Sequence, residues 1–458
     1  MAIEDCAGLV DRLRRRQASR DMGDLRWRRA QLKALRAMIV EQEERILDAL
    51  HTDLRKCRVE SFLTETGFVV REIDHALGHM GRWSRPMGVR TPVSLQIARS
   101  RVLWEPLGVA LIIGPWNYPL QLVMSPLVPC LAAGNAAVVK PSELAPATSS
   151  AIAELVPQYL DPDVVAVVEG GVPQTTALLE QRFDRIFFTG SERVGRIVMQ
   201  AAARHLTPVT LELGGKCPCI VDASTRIRVA ARRVASGKFA NAGQTCVAPD
   251  YALVHREIAE EFIAEVSDAV RSFFGPDPRE SPDHARIINV HHHRRLVDLL
   301  RDGEPVLGGD HDEESLYIAP TVLRNVDPAS PIMQEEIFGP ILPVLEVADA
   351  EEAIAFVRER PKPLALYVFA EDREVVERVT NGTRCGGMCV NETLVHLLVR
   401  DLPFGGVGAS GMGAYHGQWG FREFSNPRAV LDRSTLIDPG VRYPPYSRRD
   451  ESLLRRVP

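Results

Sequence analysis

The sequence predicts an α/β protein built from two α/β lobes and a small extended element. Four short apolar runs, at residues 109–113, 137–139, 164–168 and 185–188, are separated by segments long enough to form helices. Apolar runs that are buried on both faces and alternate with helices are typical of a parallel sheet with helical crossovers. A second alternation of helical and strand-like segments after residue 250 predicts the second lobe.

Outside this first alternation, the spacing of the apolar residues differs from one segment to the next. Residues 3–54 carry apolar side chains at helical spacing, which predicts two or three amphipathic helices. Residues 83–104 lack that period and contain Pro86 and Pro92, so we expect them to be extended. In the second lobe we expect helices at 258–274, 294–300 and 351–358, and strands at 341–347 and 364–369.

Composition excludes several classes of function. The chain of 458 residues is 45% hydrophobic and 25% charged, as is usual for a soluble globular protein. Its 60 acidic and 55 basic residues give a net charge of −5, which offers no electrostatic reason to bind nucleic acid. The sequence shows no secretory signal, no integral membrane segment and no disulfide-scaffold spacing among its eight cysteines, so we expect a cytoplasmic protein. Contact of the Arg-bearing C-terminal tail with an anionic membrane remains open beside a solvated or subunit-packing tail.

Cys246 is the first candidate for chemistry. It lies between the flexible Gly243 and Pro249, which suits an exposed nucleophile on a sharp turn. A free cysteine has a pKa of about 8.5, so at neutral pH the thiolate needs local help or must be induced. Cys6, Cys57 and Cys130 are interpreted as small buried apolar side chains. The pairs Cys217/Cys219 and Cys385/Cys389 lack partners at metal-ligand spacing, so no metal is predicted.

Glu212 stands in an otherwise apolar run at residues 209–213, followed by Gly214 and Gly215. Partial desolvation should raise the pKa of this carboxyl group towards a value useful for a general base. The alternative is a structural glutamate paired with Lys216 or with an arginine.

Asn117 lies in a proline-flanked loop, residues 114–119, directly after an apolar strand. Ligands bind at the carboxyl ends of parallel strands, so this loop should face the cleft. Its side-chain NH2 group is an uncharged donor of the kind that an oxyanion requires. The alternative is an Asx-type turn.

Further segments predict ligand contacts more weakly. A strand, the Gly190–Ser191 turn and a helix N-terminus form a natural seat for a pyrophosphate, although no GxGxxG motif is present. Lys140 and Glu143, at the end of another strand, could hold a ribose or be a surface pair. The run 335–340 places two carboxylates before an aromatic residue and a tight turn, and 291–293 is interpreted as the polar start of a helix.

In this order, the segments resemble the aldehyde dehydrogenase superfamily over nearly the whole chain. The class 3 group, which includes fatty-aldehyde and aromatic-aldehyde dehydrogenases, is the finer match, through residues 105–121, 243–251 and 402–417. The resemblance implies an aldehyde dehydrogenase-like fold with a Rossmann-like cofactor lobe, an α/β catalytic lobe and a small β-hairpin used in oligomerisation. It also implies a homodimer.

The resemblance implies the following domain boundaries. The NAD(P)-binding domain is expected at 1–82 and 105–213, and the catalytic domain at 214–400. The bridging or oligomerisation element and the C-terminal tail are expected at 83–104 and 401–458.

It also implies roles for individual residues. Cys246 would be the nucleophile, its main-chain N–H and the Asn117 side chain the oxyanion hole, and Glu212 the base that activates water. The implied cofactor contacts are Lys140, Glu143, Gly190, Ser191, Gly195, Leu213, Glu336 and Phe338. The candidates for lining an apolar substrate tunnel are Tyr118, Leu122, Thr245, Val247, Leu394 and Phe404.

The expected function is NAD(P)-dependent oxidation of medium- or long-chain aliphatic, or aromatic, aldehydes to carboxylic acids. NAD is expected because Glu143 would repel a 2′-phosphate, although class 3 enzymes often accept NADP as well. Ala242, Asn391-Glu392 and the loop 396–401 depart from the class 3 pattern, so substrate choice is the open question. A CoA-acylating enzyme and a non-catalytic ligand-binding relative are the alternatives; Glu212 argues against the first, and the intact set of Cys246, Glu212 and Asn117 against the second.

Overall fold

The computed structural model describes residues 6–455, with helices and strands alternating over most of that length. The helices are α1 (Cys6–Gln17), α2 (Leu25–Glu41), α3 (Glu43–Leu54), α4 (Arg58–Ser61), α5 (Gly67–Trp83), α6 (Gln121–Ala133), α7 (Pro146–Tyr159), α8 (Val172–Leu179), α9 (Glu192–Ala203), α10 (Ile227–Phe239), α11 (Ala259–Phe274), α12 (Val290–Leu299), α13 (Pro331–Gln334), α14 (Ala350–Arg358), α15 (Arg373–Gly382), α16 (Gly417–Glu423) and α17 (Arg448–Leu454). The strands are β1 (Met87–Val89), β2 (Ala98–Pro106), β3 (Val109–Ile113), β4 (Ala136–Lys140), β5 (Val165–Val167), β6 (Arg185–Thr189), β7 (Val209–Glu212), β8 (Pro218–Val221), β9 (Tyr251–His255), β10 (Glu304–Leu307), β11 (His311–Asp312), β12 (Tyr317–Ile318), β13 (Thr321–Arg324), β14 (Ile341–Val347), β15 (Ala365–Phe369), β16 (Gly387–Val390), β17 (Gly411–Met412) and β18 (Ser425–Arg433).

The first sheet has six strands in the order β17-β7-β6-β3-β4-β5. Its strands are parallel except for β17, which pairs antiparallel with β7. Every residue of β3 and β4 is buried, as the unbroken apolar runs predict for strands covered on both faces. The predicted parallel sheet is therefore confirmed.

The second sheet has seven strands in the order β10-β13-β14-β9-β8-β15-β16. All neighbours are parallel except β10 and β13. The expected helices α11 and α14 and the strands β14 and β15 lie within one residue of their predicted bounds. The helix expected at 294–300 begins four residues earlier, because Asn289 caps it by accepting a hydrogen bond from the main-chain N–H of His292.

The extended element is a three-stranded antiparallel sheet in the order β1-β2-β18. The predicted extended segment supplies β1 and β2, and β18 joins them from the other end of the sequence, pairing Arg433 with Ala98 and Ser425 with Pro106. Met87 and Leu431 expose 45% and 52% of their surface, so this sheet presents apolar side chains to solvent in a single chain.

The N-terminal helices α1, α2 and α3 confirm the amphipathic pattern, since Leu32, Leu35 and Ile39 are fully buried on one face of α2. Residues 3–5 of the predicted helical segment, and residues 456–458 of the C-terminal tail, lie outside the described residues. Within residues 6–455, no helix is both long and apolar enough to cross a membrane.

Candidate active site

The first sheet reverses its strand order at β3 and β6. These two strands are neighbours, whereas β4 and β5, which lie between them in sequence, continue the sheet on the other side of β3. Open α/β sheets bind ligands in the crevice outside the carboxyl ends of the strands at such a switch point. A cavity of about 560 Å³ lies there, lined by Asn117 after β3, by Gly190 after β6 and by Glu212 at the end of β7.

The second lobe supplies the facing wall of this cavity through Cys246, which precedes β9. All other residues from 241 to 250 are buried, and only the half-buried Cys246 reaches the cavity. A tight turn presents it, in which Asn241 and Ala242 both have positive φ, at 50° and 51°. Ala242 is the position that departs from the class 3 pattern.

The surroundings of the Cys246 thiol favour its protonated form. Burial raises its pKa, and the nearby carboxyl groups of Glu336 and Glu212 raise it further. Main-chain N–H groups at Cys246 and Val247 oppose the rise in pKa but do not outweigh it. The sequence left open whether the thiolate depends on local help or is induced by ligands, and these surroundings favour induction.

Glu212 lies at the end of β7, in register with Thr189 of β6 on one side and Gly411 of β17 on the other. It is 2% exposed, and neither carboxylate oxygen has a hydrogen-bond partner. Burial raises its pKa well above the usual range, and the charge of Glu423 adds to the shift. A buried carboxyl group without a partner is costly, and such groups cluster at functional sites.

The alternative interpretation of Glu212 as a structural ion pair with Lys216 is wrong. The Lys216 ammonium donates to the main-chain oxygens of Ile332 and Glu335, at 2.7 Å and 2.9 Å, and pairs with Asp250. No ion pair involves Glu212 among the residues that the structure describes.

Asn117 is 2% exposed and lines the same cavity. Its Nδ2 donates to the main-chain oxygen of Gln244 at 3.0 Å, which joins its loop to the turn that carries Cys246. A side-chain amide has two N–H donors, so the second remains for a ligand. The alternative of an Asx-type turn requires Oδ1 of Asn117 to accept a main-chain hydrogen bond. This oxygen accepts none.

The turn after β6 has the features of an anion seat. Helix α9 follows Ser191, whose side chain does not cap the helix, so the first main-chain N–H groups remain available to a ligand. A Cβ atom at Gly190 would lie 2.6 Å from the ring of Phe188, and one at Gly195 would lie 2.8 Å from Cδ2 of Leu213. Glycine at both positions keeps the turn open and the helix close to the cavity wall formed by Leu213.

Lys140 and Glu143 lie at the end of β4 and do not line the cavity, although the main-chain oxygen of Lys140 accepts from the N–H of Gly114, beside the lining residue Pro115. The Lys140 ammonium is buried and donates to Glu143 Oε2 at 2.8 Å and to the main-chain oxygen of Pro141 at 2.9 Å. The Glu143 side chain is 43% exposed. The pair is therefore a buried cation that holds an accessible carboxylate at the carboxyl edge of the sheet.

Glu336 and Phe338 reach the cavity from the segment before β14. Glu336 Oε1 has no hydrogen-bond partner, and burial together with Asp250 raises the pKa of Glu336 to about 8. Phe338, at φ 52°, packs edge-on against Trp116 with ring centroids 5.2 Å apart.

Of the six residues predicted to form the substrate tunnel, Leu122 lines the cavity. Tyr118 and Thr245 bond to each other through their hydroxyl groups, and neither lines the cavity. Val247 is 1% exposed in the core, where its main-chain oxygen accepts from the hydroxyl of Tyr367.

Leu394 and Phe404 also lie outside the cavity wall. Phe404 is buried and stacks on His416 at 5.4 Å. The unusual loop beside them is anchored, since Arg400 lies 2.9 Å from the buried carboxylate of Glu72 on α5.

The sequence analysis missed part of the wall. Within 291–293, the predicted helix start is present in α12, but His293 is buried and His292 packs against Trp116 with centroids 5.0 Å apart. Residues three apart on a helix share a face, so the period of α12 could have placed His292 beside Arg295. Other wall residues that were not predicted are Arg193, Met333, Arg360 and Lys362.

A comparison with protein families matches the aldehyde dehydrogenase family model to residues 10–430. The chain belongs to the aldehyde dehydrogenase family. The resemblance seen in the sequence, and the fold that it implies, are thereby confirmed.

This aldehyde dehydrogenase is similar over nearly its whole length to several individual proteins. It is 48% identical over 439 residues to mouse aldehyde dehydrogenase family 3 member A2, covering 95% of this chain and 91% of the relative. It is 46% identical over 445 residues to the mouse protein named aldehyde dehydrogenase, dimeric NADP-preferring, covering 97% and 98%. A solved structure of Staphylococcus aureus AldH in its substrate-bound state aligns with a TM-score of 0.96 at 44% identity, covering 100% of this chain and 99% of the other.

The protein is therefore an enzyme that oxidises aldehydes with NAD(P). Its own site fits such a cofactor, because the Gly190–Ser191 turn leaves main-chain donors at the start of α9, and Glu336 offers an oxygen without a partner.

Proposed function

We propose that this aldehyde dehydrogenase converts medium- or long-chain aliphatic, or aromatic, aldehydes to carboxylic acids through a covalent intermediate on Cys246. The observation that carries the proposal is the convergence of Cys246, Glu212 and Asn117 on one cavity at the switch point. These side chains supply a nucleophile, a base and an oxyanion donor from three separate segments of the chain.

In the first step the Cys246 sulfur attacks the aldehyde carbon to give a thiohemiacetal. The carbonyl oxygen becomes negatively charged as the C–S bond forms, and it receives hydrogen bonds from Asn117 Nδ2 and the Cys246 main-chain N–H. The half-buried position of Cys246 exposes the sulfur to the cavity while the surrounding residues exclude water from its other sides.

NAD(P), when bound, would supply the hydride acceptor for oxidation of the thiohemiacetal to a thioester. The residues proposed to hold the cofactor are those of the anion seat and its surroundings: Gly190, Ser191, Gly195, Leu213, Lys140, Glu143, Glu336 and Phe338. Helix α9 points its N-terminus at the cavity, which favours the pyrophosphate charge.

Glu212 then activates the water that hydrolyses the thioester. Its carboxylate takes a proton from water as oxygen attacks the acyl carbon, and the C–S bond breaks to release the acid and restore Cys246. A raised pKa makes the carboxylate a stronger base than an exposed glutamate. This base also favours water over CoA as the acyl acceptor.

Several finer assignments accompany this mechanism. We propose NAD as the preferred cofactor, with NADP also accepted, because the accessible Glu143 carboxylate would repel a 2′-phosphate. We also propose the domain boundaries predicted above, except that β17 (Gly411–Met412) pairs with β7 and so joins the sheet of the cofactor lobe. We propose a cytoplasmic location. The exposed apolar side chains of the three-stranded sheet support a homodimer through that sheet.

The substrate class rests on the apolar part of the cavity wall, where Leu122, Trp116 and Phe338 lie. An apolar wall favours aldehydes with a long alkyl chain or an aromatic ring, because binding buries their apolar surface. We expect KM to fall as the aldehyde chain lengthens, and a flat or rising series would contradict this assignment.

The test is the formation of NADH and NADPH by the purified protein with hexanal, dodecanal, hexadecanal and benzaldehyde, with and without CoA. Turnover without CoA is expected, and its profile gives both the cofactor preference and the chain length. Turnover only with CoA would instead identify a CoA-acylating enzyme. No turnover and no NAD(P) binding would identify a non-catalytic relative.

A further inference from the structure

We propose that Lys56 is a positioning residue for the oxyanion site, acting through the main chain of Asn117. The proposal rests on the role proposed above for Asn117. Lys56 lies in the turn after α3, outside every segment that carries the catalytic side chains.

The Lys56 ammonium is completely buried. Its Nζ lies 2.8 Å from Oε1 of Glu65 and 3.2 Å from the main-chain oxygen of Asn117. It also lies 4.2 Å from the ring centroid of Tyr118. A buried charge is tolerated only when other contacts replace its water. Here the loop that carries Asn117 supplies one hydrogen bond, from the main-chain oxygen of Asn117, and one cation–π contact, from the ring of Tyr118.

Glu65 holds the same loop at its other end. Its Oε2 accepts hydrogen bonds from the main-chain N–H groups of Leu120 and Gln121, at 3.1 Å and 2.8 Å, where α6 begins. Glu65 lies in a π-helical turn at Phe62–Thr66, a departure from α-helix that is frequent at functional sites. The Lys56–Glu65 pair therefore fixes the loop both at residue 117 and at residues 120–121.

The turn that carries Cys246 also holds the main chain of Asn117, from the side opposite Lys56. Asn241 Nδ2 donates to the same main-chain oxygen of Asn117 at 2.9 Å and to the main-chain oxygen of Gln244 at 3.2 Å. With the main chain of Asn117 held by two donors and one amide hydrogen bound to Gln244, the planar amide has one orientation left for its second hydrogen.

The contact from Lys56 is charge-assisted, and such contacts are stronger than the neutral one from Asn241. Without Lys56, the main-chain oxygen of Asn117 would keep only the neutral donor, Asn241, and the amide of Asn117 could move relative to Cys246. A displacement of about 1 Å in a catalytic group can lower a rate about a hundredfold. The expected consequence is a slower first step, with cofactor binding unchanged.

The experiment compares Lys56→Met, Asn117→Ala and the double variant with the native enzyme. The rate measured is that of the first-turnover burst of NADH at saturating NAD and dodecanal, with NAD affinity and the thermal melt as controls. We expect Asn117→Ala to lower the burst rate about a hundredfold and Lys56→Met about tenfold. The double variant should be no slower than Asn117→Ala alone, because Lys56 acts only through Asn117.

Further variants separate positioning from a general structural role. Lys56→Arg keeps the charge and should recover most of the burst rate, whereas the exposed Lys33→Met should leave it unchanged. If Lys56→Met does not fold, Lys56→Met/Glu65→Gln is compared with Glu65→Gln alone, because Glu65 itself holds residues 120–121 and its neutralisation avoids an unpaired buried ion.

Two results would overturn the inference. An unchanged burst rate in Lys56→Met would do so while leaving the role of Asn117 intact. A burst rate in the double variant that falls by the product of the two single-variant factors would show that Lys56 does not act through Asn117. An unchanged burst rate in Asn117→Ala would instead overturn the oxyanion assignment itself, and the two failures are therefore distinguishable.

Discussion

The hydroxyl of Tyr118 lies 2.7 Å from Oγ1 of Thr245. Tyr118 follows the proposed oxyanion donor Asn117, and Thr245 precedes the proposed nucleophile Cys246. This hydrogen bond therefore links the two loops on which the first chemical step depends, parallel to the link between Asn117 and Gln244. The pair stabilises the relative position of the loops, although both side chains were expected to line the substrate tunnel.

Replacing Tyr118 with Phe should slow the reaction without changing the preference for aldehyde chain length. The buried hydroxyl of Thr245 would lose its partner, at a cost of about 1–3 kcal/mol in the free energy of unfolding. We expect kcat to fall about tenfold and the order of KM values across aldehydes to stay the same. Tyr159→Phe is a matched control, because its hydroxyl bonds to Glu41 on the surface. A changed order of KM values across aldehydes would show that Tyr118 lines the substrate tunnel.

Replacing Cys246 with Ala should abolish aldehyde oxidation and retain NAD(P) binding. The small side chain removes the nucleophile, while the seat at the start of α9 is untouched. The measurements are steady-state NADH formation and titration of cofactor binding. Cys389→Ala removes another thiol outside the cavity wall and should remain active. Turnover by Cys246→Ala above background would refute its role.

Replacing Glu212 with Gln should leave the first turnover and block the second. The amide cannot take a proton from water, so we expect kcat to fall about 10²–10⁴-fold with a burst of one NADH per active site. Stopped-flow absorbance measures the burst. A loss of the burst itself would place Glu212 in the first step.

The pH dependence of Glu212 follows from its raised pKa. Only the ionised carboxylate is a base, so deacylation by the native enzyme should rise with pH through a pKa above the ordinary glutamate range, and this rise should vanish in Glu212→Gln. Folding favours the protonated form, so the contribution of this group to stability is complete below its unfolded pKa and is lost as the pH rises through the folded pKa. Native stability relative to Glu212→Gln should therefore decline with increasing pH in denaturant titrations.

Replacing Glu143 with Gln should shift the cofactor preference towards NADP. The change removes the negative charge that would oppose a 2′-phosphate and leaves a side chain of the same size beside Lys140. We expect kcat/KM for NADP relative to NAD to rise about tenfold, roughly the effect of one charge contact near the surface. Glu371→Gln, which removes an exposed acid from the other lobe, should leave the ratio unchanged. An unaltered ratio in Glu143→Gln would mean that another group sets the preference.

The sequence predicted what depends on local pattern. The apolar runs became β3 to β6, and the isolated carboxylate of Glu212 was expected to be desolvated and is. It could not choose between a free Glu212 and a pair with Lys216, because that choice depends on Asp250, 34 residues further on in sequence, binding the lysine. Nor could it place Val247, whose main-chain oxygen accepts from the hydroxyl of Tyr367 in β15, 120 residues further on in sequence.

The pairing of β18 with β2 bears on how the chain folds during synthesis. Residues 98–106 of β2 pair with residues 425–433 of β18. The edge of β2 that faces β18 therefore has no partner until more than 300 further residues have been made. At about 5–20 residues per second, this takes roughly half a minute. An unpaired strand edge is a template for association with other chains. Nascent chains of this enzyme should therefore depend on chaperones during that interval, and slower translation should increase their aggregation.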